Sequence, residues 1–127
     1  MNKVCPFCNL EASRVILEND LAIAICDGYP VSRGHVLVIP KRHVGSFFEI
    51  TETERQAMLS LLDRFQKKLL EEFGPDAFNI GINDGAAAGQ TVPHLHIHLI
   101  PRYEGDQVDP RGGVRLIFPD KAKYWDE

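Results

Sequence analysis

Three of the five histidines in this chain stand at alternate positions, and this row is the strongest chemical signal in the sequence. His94, His96 and His98 are separated by single aliphatic residues. Side chains two positions apart point to the same face of a β-strand, so the spacing predicts a strand with imidazoles on one face and aliphatic side chains on the other. Because imidazoles are costly to desolvate without polar partners, we expect this row to form a functional site.

A second chemical signal is the Cys-x2-Cys pair formed by Cys5 and Cys8. This spacing is typical of half a zinc site and also of a thioredoxin-like redox pair, and it can arise by chance. The redox interpretation needs a strand before the motif, and only four residues precede Cys5. The zinc interpretation needs two further ligands from elsewhere in the chain.

Two chemistries compete for the histidine row. Several of its histidines could chelate one catalytic zinc, or one could attack phosphorus while its neighbours bind the phosphate. Same-face positions on a strand are about 6.5 Å apart, so His94 and His98 are expected about 13 Å apart and can serve different sites. One division assigns a closed zinc site of Cys2His2 type to Cys5, Cys8, His43 and His94. The reaction pocket would then contain His35, His96 and His98, but the residues alone leave both chemistries open.

The elements that position these residues are predicted to be strand pairs around one helix. Thr51 and Glu54 form a capping box, and an apolar stripe predicts a helix from about Glu52 to Gly74. Apolar runs predict strands at 15–17, 21–26, 34–40 and 78–83, with a short final strand at 114–119. Cys26 lies in one of these runs and is interpreted as a buried thiol. The lack of a regular β-α-β alternation favours an α+β fold with an antiparallel sheet.

Some positions have both a structural and a functional interpretation. Asp27 begins a turn, and the pattern alone favours a solvated turn residue. The loop at 84–91 is rich in small residues, so it is either a plain hairpin connection or a loop whose backbone N–H groups can approach an anion. Trp125, near the C-terminal end, is expected to dock on this subunit or on a partner.

Composition excludes several classes of protein. A length of 127 residues predicts one domain, and a net charge of −4 argues against a dedicated nucleic-acid binder. Three cysteines do not suggest a disulfide framework. No apolar run approaches the length of a membrane span, and the first five residues lack the apolar core of a signal peptide. We therefore expect a cytoplasmic protein without a membrane partner.

Taken together, these motifs resemble the histidine triad (HIT) family. The run from His94 to Ile100 matches the pattern His-φ-His-φ-His-φ-φ, where φ is apolar. The resemblance spans roughly residues 4 to 103 and includes the Cys-x2-Cys opening of the zinc-containing branch. The other matching segments are Asp27, 34–43 and 89–92. The Fhit-like branch, which acts on diadenosine polyphosphates, looks most similar because it shares the residues at 84–85, 88–92 and 101–102.

The resemblance implies one HIT domain over residues 1–127, with a core at 1–103 and a C-terminal tail at 104–127. It implies a five-stranded antiparallel sheet with one long and one short helix, in a homodimer whose sheets join edge to edge. The implied activity is hydrolysis or transfer at the α-phosphate of a small nucleotide substrate. In such a protein the zinc is structural, and no metal is needed for the chemistry.

The resemblance also implies a role for each site residue. The middle histidine, His96, would attack the α-phosphorus and carry the nucleotidyl group, with support from His35. The non-bridging oxygens would be bound by His98, Gln90 and the loop positions Gly89, Thr91 and Val92. Asp27 would accept from the ribose hydroxyls, and Asn83 would reach the phosphates or the ribose. The base pocket would be lined in part by Phe7 and Ile25, and the zinc would be held by Cys5, Cys8, His43 and His94.

Two departures from the Fhit-like pattern leave the substrate open. Asp27 and Asn83 stand where close Fhit relatives tend to carry Asn and Gln, and Asp27 resembles the Hint branch of nucleoside phosphoramidases. The tail beyond residue 104 would lie near the leaving group, where Arg111, Arg115 and Trp125 are candidates for selecting the substrate. A dinucleoside polyphosphate phosphorylase, and a nucleotide-binding sensor with incidental catalysis, are further alternatives.

Overall fold

A computed structural model describes residues 5–126 of the chain. The first four residues and Glu127 belong to the predicted domain of 1–127 but lie outside the described part. The signal-peptide interpretation rests partly on those first four residues. Five strands form one antiparallel sheet in the order β1-β2-β3-β5-β4. The strands are β1 (Val15–Glu18), β2 (Ala22–Cys26), β3 (Val36–Pro40), β4 (Ala77–Gly81) and β5 (Ile97–Arg102). The predicted α+β fold with a five-stranded antiparallel sheet is confirmed.

One α-helix, α1 (Glu52–Phe73), packs on the sheet, as predicted. Thr51 caps it by accepting from the Glu54 N–H, and the Glu54 side chain accepts from the Thr51 N–H in return. Gly74 ends the helix in the left-handed conformation. The buried apolar residues of the helix are Met58, Leu61, Phe65 and Leu69. Burying each of these side chains contributes about 1.5–3 kcal/mol, so the stripe holds the helix against the sheet.

The two faces of the sheet carry different kinds of residues. The face toward α1 carries Ala22, Ala24, Val36, Val38, Ile97 and Leu99, which share one core with the helix. On the opposite face, Ile25 pairs with Leu37, and Leu37 pairs with His98. Phe7 and Leu10 of the N-terminal segment pack onto this second face. The side chains that can do chemistry therefore lie on the face away from the helix.

Four local expectations differ from the structure. Strand β5 begins at Ile97, because β3 pairs with it only as far as Val38 and the Leu95 N–H donates instead to the Val44 carbonyl, at 2.7 Å. The final strand expected at 114–119 is replaced by 3-10 turns. Cys26 is exposed at the end of β2 and is not a core thiol. Within residues 5–126, the expected short helix is present only as 3-10 turns of three to five residues.

Among the described residues, no helix combines the length and the apolar character that crossing a membrane requires.

Candidate active site and metal centre

The N-terminal cysteine pair lies close to two histidines, on the face of the sheet away from α1. Cys5, Cys8, His43 and His94 each offer one donor atom, and these atoms all lie within 4.8 Å of one another. His94 Nδ1 lies 3.4 Å from Cys5 Sγ, 3.5 Å from Cys8 Sγ and 3.3 Å from His43 Nδ1. The distance between Cys8 Sγ and His43 Nδ1 is 3.3 Å. The sequence prediction that these residues come together therefore agrees with the structure.

The spacing of the donor atoms fits a tetrahedral zinc ion. With zinc–sulfur bonds of about 2.3 Å and zinc–nitrogen bonds of about 2.05 Å, a tetrahedron places sulfur and nitrogen about 3.5 Å apart and two nitrogens about 3.4 Å apart. The four donor–donor distances given above are 3.3–3.5 Å, and all donor atoms lie within 4.8 Å of one another. Two thiolates and two imidazoles are also the donor set of structural zinc sites. This cluster, called the metal cluster below, could hold such an ion with all four positions filled by protein.

The ring of His94 is oriented by the backbone of the neighbouring strand. Its Nε2 lies 2.8 Å from the Pro40 carbonyl oxygen at the end of β3. A carbonyl only accepts, so Nε2 carries the proton and Nδ1 presents its lone pair to the metal cluster. The imidazole is fully buried, and this burial lowers its pKa and keeps it neutral at pH 7. A neutral imidazole is the form that binds a metal.

The middle histidine, His96, also donates to a backbone carbonyl, but through Nδ1 instead of Nε2. Its Nδ1 lies 2.9 Å from the His94 carbonyl oxygen, so Nδ1–H donates and the lone pair is on Nε2. The His96 ring contacts Phe7 edge-on on one side and His98 on the other, at centroid distances of 5.3 and 5.2 Å. The ring is buried to 8% exposure, which limits its orientations. The hydrogen bond at Nδ1 thus fixes which nitrogen of His96, Nε2, is left without a proton on this tautomer.

The third histidine, His98, belongs to a second cluster with Asp27 and His35. His98 Nδ1 lies 3.0 Å from His35 Nε2, and Asp27 Oδ2 lies 3.3 Å from His35 Nε2 and 3.9 Å from His98 Nδ1. The Asp27 N–H also donates to the His35 carbonyl, which extends the pairing of β2 and β3 beyond their ends. Burial lowers the pKa of both His35 and His98, against the opposing effect of Asp27. We call these three residues the relay cluster.

The loop before the histidine row is held in shape by Gln90. Its Oε1 accepts from the Gly85 N–H at 2.7 Å, and its Nε2 donates to the Gly45 and Val92 carbonyls at 3.0 Å. The amide expected to bind phosphate oxygens is thus used to close the loop. Asp84 adds a clamp by accepting from Ser46 Oγ and the Phe47 N–H. Neither Ser46 nor Phe47 carries a sequence signal for this contact.

A groove of about 880 Å³ extends from His98 and His35 along β4 and β5. Asn83 is exposed and lines this groove, as does Asn79 of β4. The tail forms the far wall with Val114 and Leu116.

The polar residues proposed from the tail are directed elsewhere. Arg115 donates to the carbonyls of Lys121 and Ala122, and Arg111 pairs with Asp109 and stacks on Trp125. Trp125 docks on the tail of its own chain, where a Cβ on Gly112 would lie 3.3 Å from its ring.

The remaining predicted residues lie beside the nucleophile or at its loop. Ile25 is fully buried beneath Phe7 and Leu10, so it supports these side chains from below and is not itself exposed to a ligand. Gly89 has φ of +96° at the end of a 3-10 turn and is followed by the exposed Thr91 and half-buried Val92. Sequence reasoning missed Val31 and Pro40, which bond to His35 and His94 through backbone atoms. Backbone contacts of this kind leave no mark on residue type.

Comparison with known proteins identifies the family. A model of the HIT domain matches residues 10–105. The adenylylsulfatase HINT3 of Arabidopsis thaliana is 38% identical over 80% of this chain and 54% of its own length. The bis(5'-nucleosyl)-tetraphosphatase [asymmetrical] of Schizosaccharomyces pombe is 40% identical over 74% of this chain and 52% of its own length. The chain thus spans about half the length of these two curated relatives.

A solved structure is similar in both sequence and fold. The Zn-bound histidine triad family protein from Mycobacterium smegmatis is 38% identical, with a TM-score of 0.68 over 75% of this chain and 69% of that chain. Because the family model covers most of the sequence, this chain belongs to the HIT family.

Proposed function

We propose that the protein is a nucleotide hydrolase or transferase that cleaves dinucleoside polyphosphates or related adenylylated compounds at the α-phosphate. The reaction runs through a covalent nucleotidyl group on His96. Two named relatives, a tetraphosphatase and an adenylylsulfatase, support a hydrolase that acts on nucleotides. The single observation that carries the mechanism is the bond from His96 Nδ1–H to the His94 carbonyl, at 2.9 Å.

That bond supports nucleophilic catalysis because it leaves the His96 Nε2 lone pair free while fixing the ring. In the first step Nε2 forms a bond to the α-phosphorus and the bond to the leaving phosphate breaks. In the second step water attacks the same phosphorus and the nitrogen–phosphorus bond breaks, which releases a nucleoside monophosphate and restores the imidazole. His98 stands beside His96 and donates to a phosphoryl oxygen, where charge accumulates in the transition state.

The neighbouring residues complete a nucleotide site on the same face. Asp27 accepts from the ribose hydroxyls, and Phe7 packs on the base above the floor formed by Ile25. The backbone of the loop at Gly89, Thr91 and Val92 approaches the phosphates, and Gln90 contributes by holding that loop. Asn83 reaches the phosphates or the ribose from the groove. The groove leads away from His98 and offers room for the leaving group.

A second candidate function is cleavage of nucleoside phosphoramidates or adenylyl sulfate. The observation that favours it is Asp27, which resembles the Hint branch, together with the similarity to an adenylylsulfatase. Both candidates use the same nucleophile and differ in the leaving group. A phosphorylase would use inorganic phosphate in place of water in the second step. A nucleotide sensor would bind a mononucleotide tightly without turning over.

We assign a structural role to zinc at Cys5, Cys8, His43 and His94. When bound, the ion ties the N-terminal segment to β3 and the histidine row, and it supplies no step of the phosphoryl chemistry. The homodimer and the cytoplasmic location expected from the sequence remain predictions. The edge strands β1 and β4 of the sheet offer the places where two subunits can join. Light scattering of the purified protein measures the oligomeric state.

Intact-mass spectrometry tests the proposed reaction. Wild type and His96→Gly are mixed briefly with a diadenosine polyphosphate, quenched in base to preserve the nitrogen–phosphorus bond, and weighed. We expect an adenylate adduct and released nucleotides with wild type and neither with the variant. Zinc content and thermal unfolding serve as controls for folding. Turnover that survives in His96→Gly would rule out this mechanism, and tight binding of AMP without turnover by wild type would favour the sensor.

A further inference from the structure

The short segment that carries the two cysteines of the metal cluster also carries Phe7. Residues 5–10, called the cysteine turn below, lie outside the helices and strands. The Cys8 N–H closes the turn by donating to the Cys5 carbonyl at 3.1 Å. Phe7 stands between the two cysteines, and its side chain packs onto the second face of the sheet. The position of its ring therefore depends on where the cysteines are held.

The Phe7 ring contacts a metal-cluster histidine and the proposed nucleophile at the same time. Its centroid lies 5.8 Å from that of His94 and 5.3 Å from that of His96, with interplanar angles of 83° and 72°. Edge-to-face pairs at these distances are favourable. His98 makes a further ring contact with His96, at 5.2 Å. The His96 ring is thus in contact with one phenyl ring and one imidazole of the site.

The hydrogen bond of His96 leaves its ring free to tilt. Nδ1–H donates to the His94 carbonyl at 2.9 Å, which fixes that atom but allows the rest of the ring to swing about it. Such a swing moves Nε2, the atom that would attack phosphorus. The contact with Phe7 limits the swing, and the ring is only 8% exposed. A misplacement of about 1 Å in a reacting group can cost about 100-fold in rate, so this restraint matters for catalysis.

The cysteine turn depends on the metal cluster for its position. Among residues 5–126, the hydrogen bonds that join 5–10 to the rest of the chain run from the two cysteine sulfurs to the two histidines of that cluster. Phe7 and Leu10 add apolar packing on the second face of the sheet. A segment with few buried contacts and no ladder of backbone hydrogen bonds opens at low cost in free energy. Closing the metal cluster therefore also fixes Phe7.

We propose that Phe7 is a positioning residue that restrains the His96 ring, and that the metal cluster acts on the reaction by holding Phe7 in place. When the cysteine turn is held, the phenyl edge stays against the imidazole. When the turn opens, Nε2 loses its fixed position. The metal cluster thereby affects kcat without supplying a step of the chemistry. The kinetic part of this inference rests on the proposed function, whereas the position of Phe7 can be measured without turnover.

Fluorine NMR of the zinc-loaded protein tests the link between the metal cluster and Phe7. 4-Fluorophenylalanine replaces Phe7 alone in one sample and Phe78, which packs against the core beneath α1, in another. We expect a chelator to move the signal at position 7 to the frequency of a solvent-exposed ring and to leave the signal at position 78 unchanged. An unchanged signal at position 7, or equal shifts at both positions, would overturn the selective hold on Phe7. So would a protein that takes up no zinc.

Kinetics separate positioning of the nucleophile from packing on the base. Wild type and Phe7→Leu are compared on the p-nitrophenyl ester of AMP and on that of 1-O-methylribose 5-phosphate, which has no base. We expect kcat of Phe7→Leu to fall about 10-fold on both esters, with KM for the baseless ester changed less than about twofold. Phe7→Tyr keeps the ring and should restore kcat. A loss confined to the AMP ester would show that Phe7 only packs on the base.

Nitrogen-15 NMR of the His96 ring gives a readout that needs no substrate. Zinc-loaded wild type should show one tautomer, with the proton on Nδ1, whereas Phe7→Leu should show a mixture because a tilted ring bonds the His94 carbonyl less well. Leu10→Ala is the matched control, since Leu10 lies in the same turn and packs on the same apolar side chains. Its spectrum should match wild type. An unchanged His96 spectrum in Phe7→Leu overturns the positioning role.

The proposed function and the positioning role fail in different ways. If wild type turns over neither ester, the proposed function is refuted, while the fluorine and nitrogen spectra still decide whether the metal cluster holds Phe7 against His96. If wild type turns over only the AMP ester, the His96 spectrum of Phe7→Leu decides the positioning role.

Discussion

The metal cluster and the relay cluster contain similar donor atoms at similar distances, yet their chemistry differs. In each, histidine nitrogens lie within 4.8 Å of acidic or thiol groups. At His94 the atom behind the ring is the Pro40 carbonyl, so the lone pair faces the cluster. At His35 the atom behind the ring is the Val31 N–H, so the proton faces the cluster. The His94 ring is thus oriented to bind a metal ion, and the His35 ring to donate a hydrogen bond.

This difference teaches that the hydrogen-bonding partner of one ring nitrogen decides what the other ring nitrogen of each histidine presents, and that for His35, His94 and His96 this partner is a backbone group. The rule also covers the other two histidines of the row. His96 has a carbonyl behind it and presents a lone pair, as a nucleophile needs. His98 has the His35 N–H behind it and presents a proton, as a phosphate-binding group needs. Along the row, His94 and His96 therefore present lone pairs and His98 presents a proton.

The largest effect is expected at His96, the proposed nucleophile. His96→Gly should lower kcat at least about 10⁴-fold, because the covalent route is removed and only substrate binding and charge stabilisation remain. Zinc content should stay at that of wild type, since His96 is not one of the four clustered donors. Kinetics with a diadenosine polyphosphate and metal analysis on the same sample measure both. A variant that loses zinc as well would show that the two clusters are not separable.

Metal binding should distinguish the two clusters next. Cys8→Ala is expected to lose its zinc, whereas Asp27→Asn should retain one zinc per chain. Zinc that binds only the folded chain stabilises it by about 4 kcal/mol when free zinc is about 1,000 times its Kd. Thermal unfolding of wild type with and without a chelator should show a loss of that order. If Asp27→Asn instead lost a metal ion, the relay cluster would be a metal site.

The backbone before His35 offers a smaller test. Gly34 has φ of +90°, and a Cβ there would lie 3.0 Å from the Leu69 side chain and 3.1 Å from that of Phe73. We therefore expect Gly34→Ala to cost about 1–3 kcal/mol and to displace His35. Chemical denaturation measures the stability, and kcat should fall while zinc content is retained. Gly28→Ala, where the nearest atom is the end of the Arg14 side chain at 3.9 Å, is the matched control.

The relay cluster should also make stability depend on pH. The pKa of His35 and that of His98 lie below the ordinary value of 6.5 because the rings are buried. Below about pH 6.5 the unfolded chain binds protons that the folded chain does not, so the free energy of unfolding should fall as the pH falls. Above that pH the contribution is constant. Zinc-loaded His35→Gln should show a shallower slope between pH 6.5 and 5 than zinc-loaded wild type, by urea denaturation. Equal slopes would contradict this assignment.

The smallest effect is expected in the groove. Leu116→Ala removes part of the tail wall and should weaken the specificity constant for a dinucleoside polyphosphate about fivefold, because less apolar surface remains to pack against the leaving group. Turnover of a simple adenylate ester should be unchanged, since its small leaving group does not reach the wall. Ile117→Ala, exposed and outside the groove lining, serves as the control. Equal losses on both substrates would remove the tail from substrate selection.

Much of the fold was predictable from local patterns. The capping box and apolar stripe define α1 because both depend on contacts between residues three or four positions apart. The alternation around His96 places Leu95, Ile97 and Leu99 in the core although strand β5 begins only at Ile97. The tail was predicted poorly. Its apolar run at 114–119 lies beside the edge strand β4 but folds as 3-10 turns, which residue type alone does not reveal.

By itself, the sequence determined which residues could do chemistry here and which face of the sheet they occupy, because side-chain alternation is a property of the extended chain. The Cys-x2-Cys spacing also predicted half of the metal cluster. Only the tertiary structure decided what each imidazole does. The Pro40 carbonyl that contacts His94 lies on a different strand, and the Val31 N–H that contacts His35 lies in the turn before it. Nearly every residue type offers such backbone groups, so the sequence does not mark these contacts. Protons and lone pairs are therefore assigned by packing.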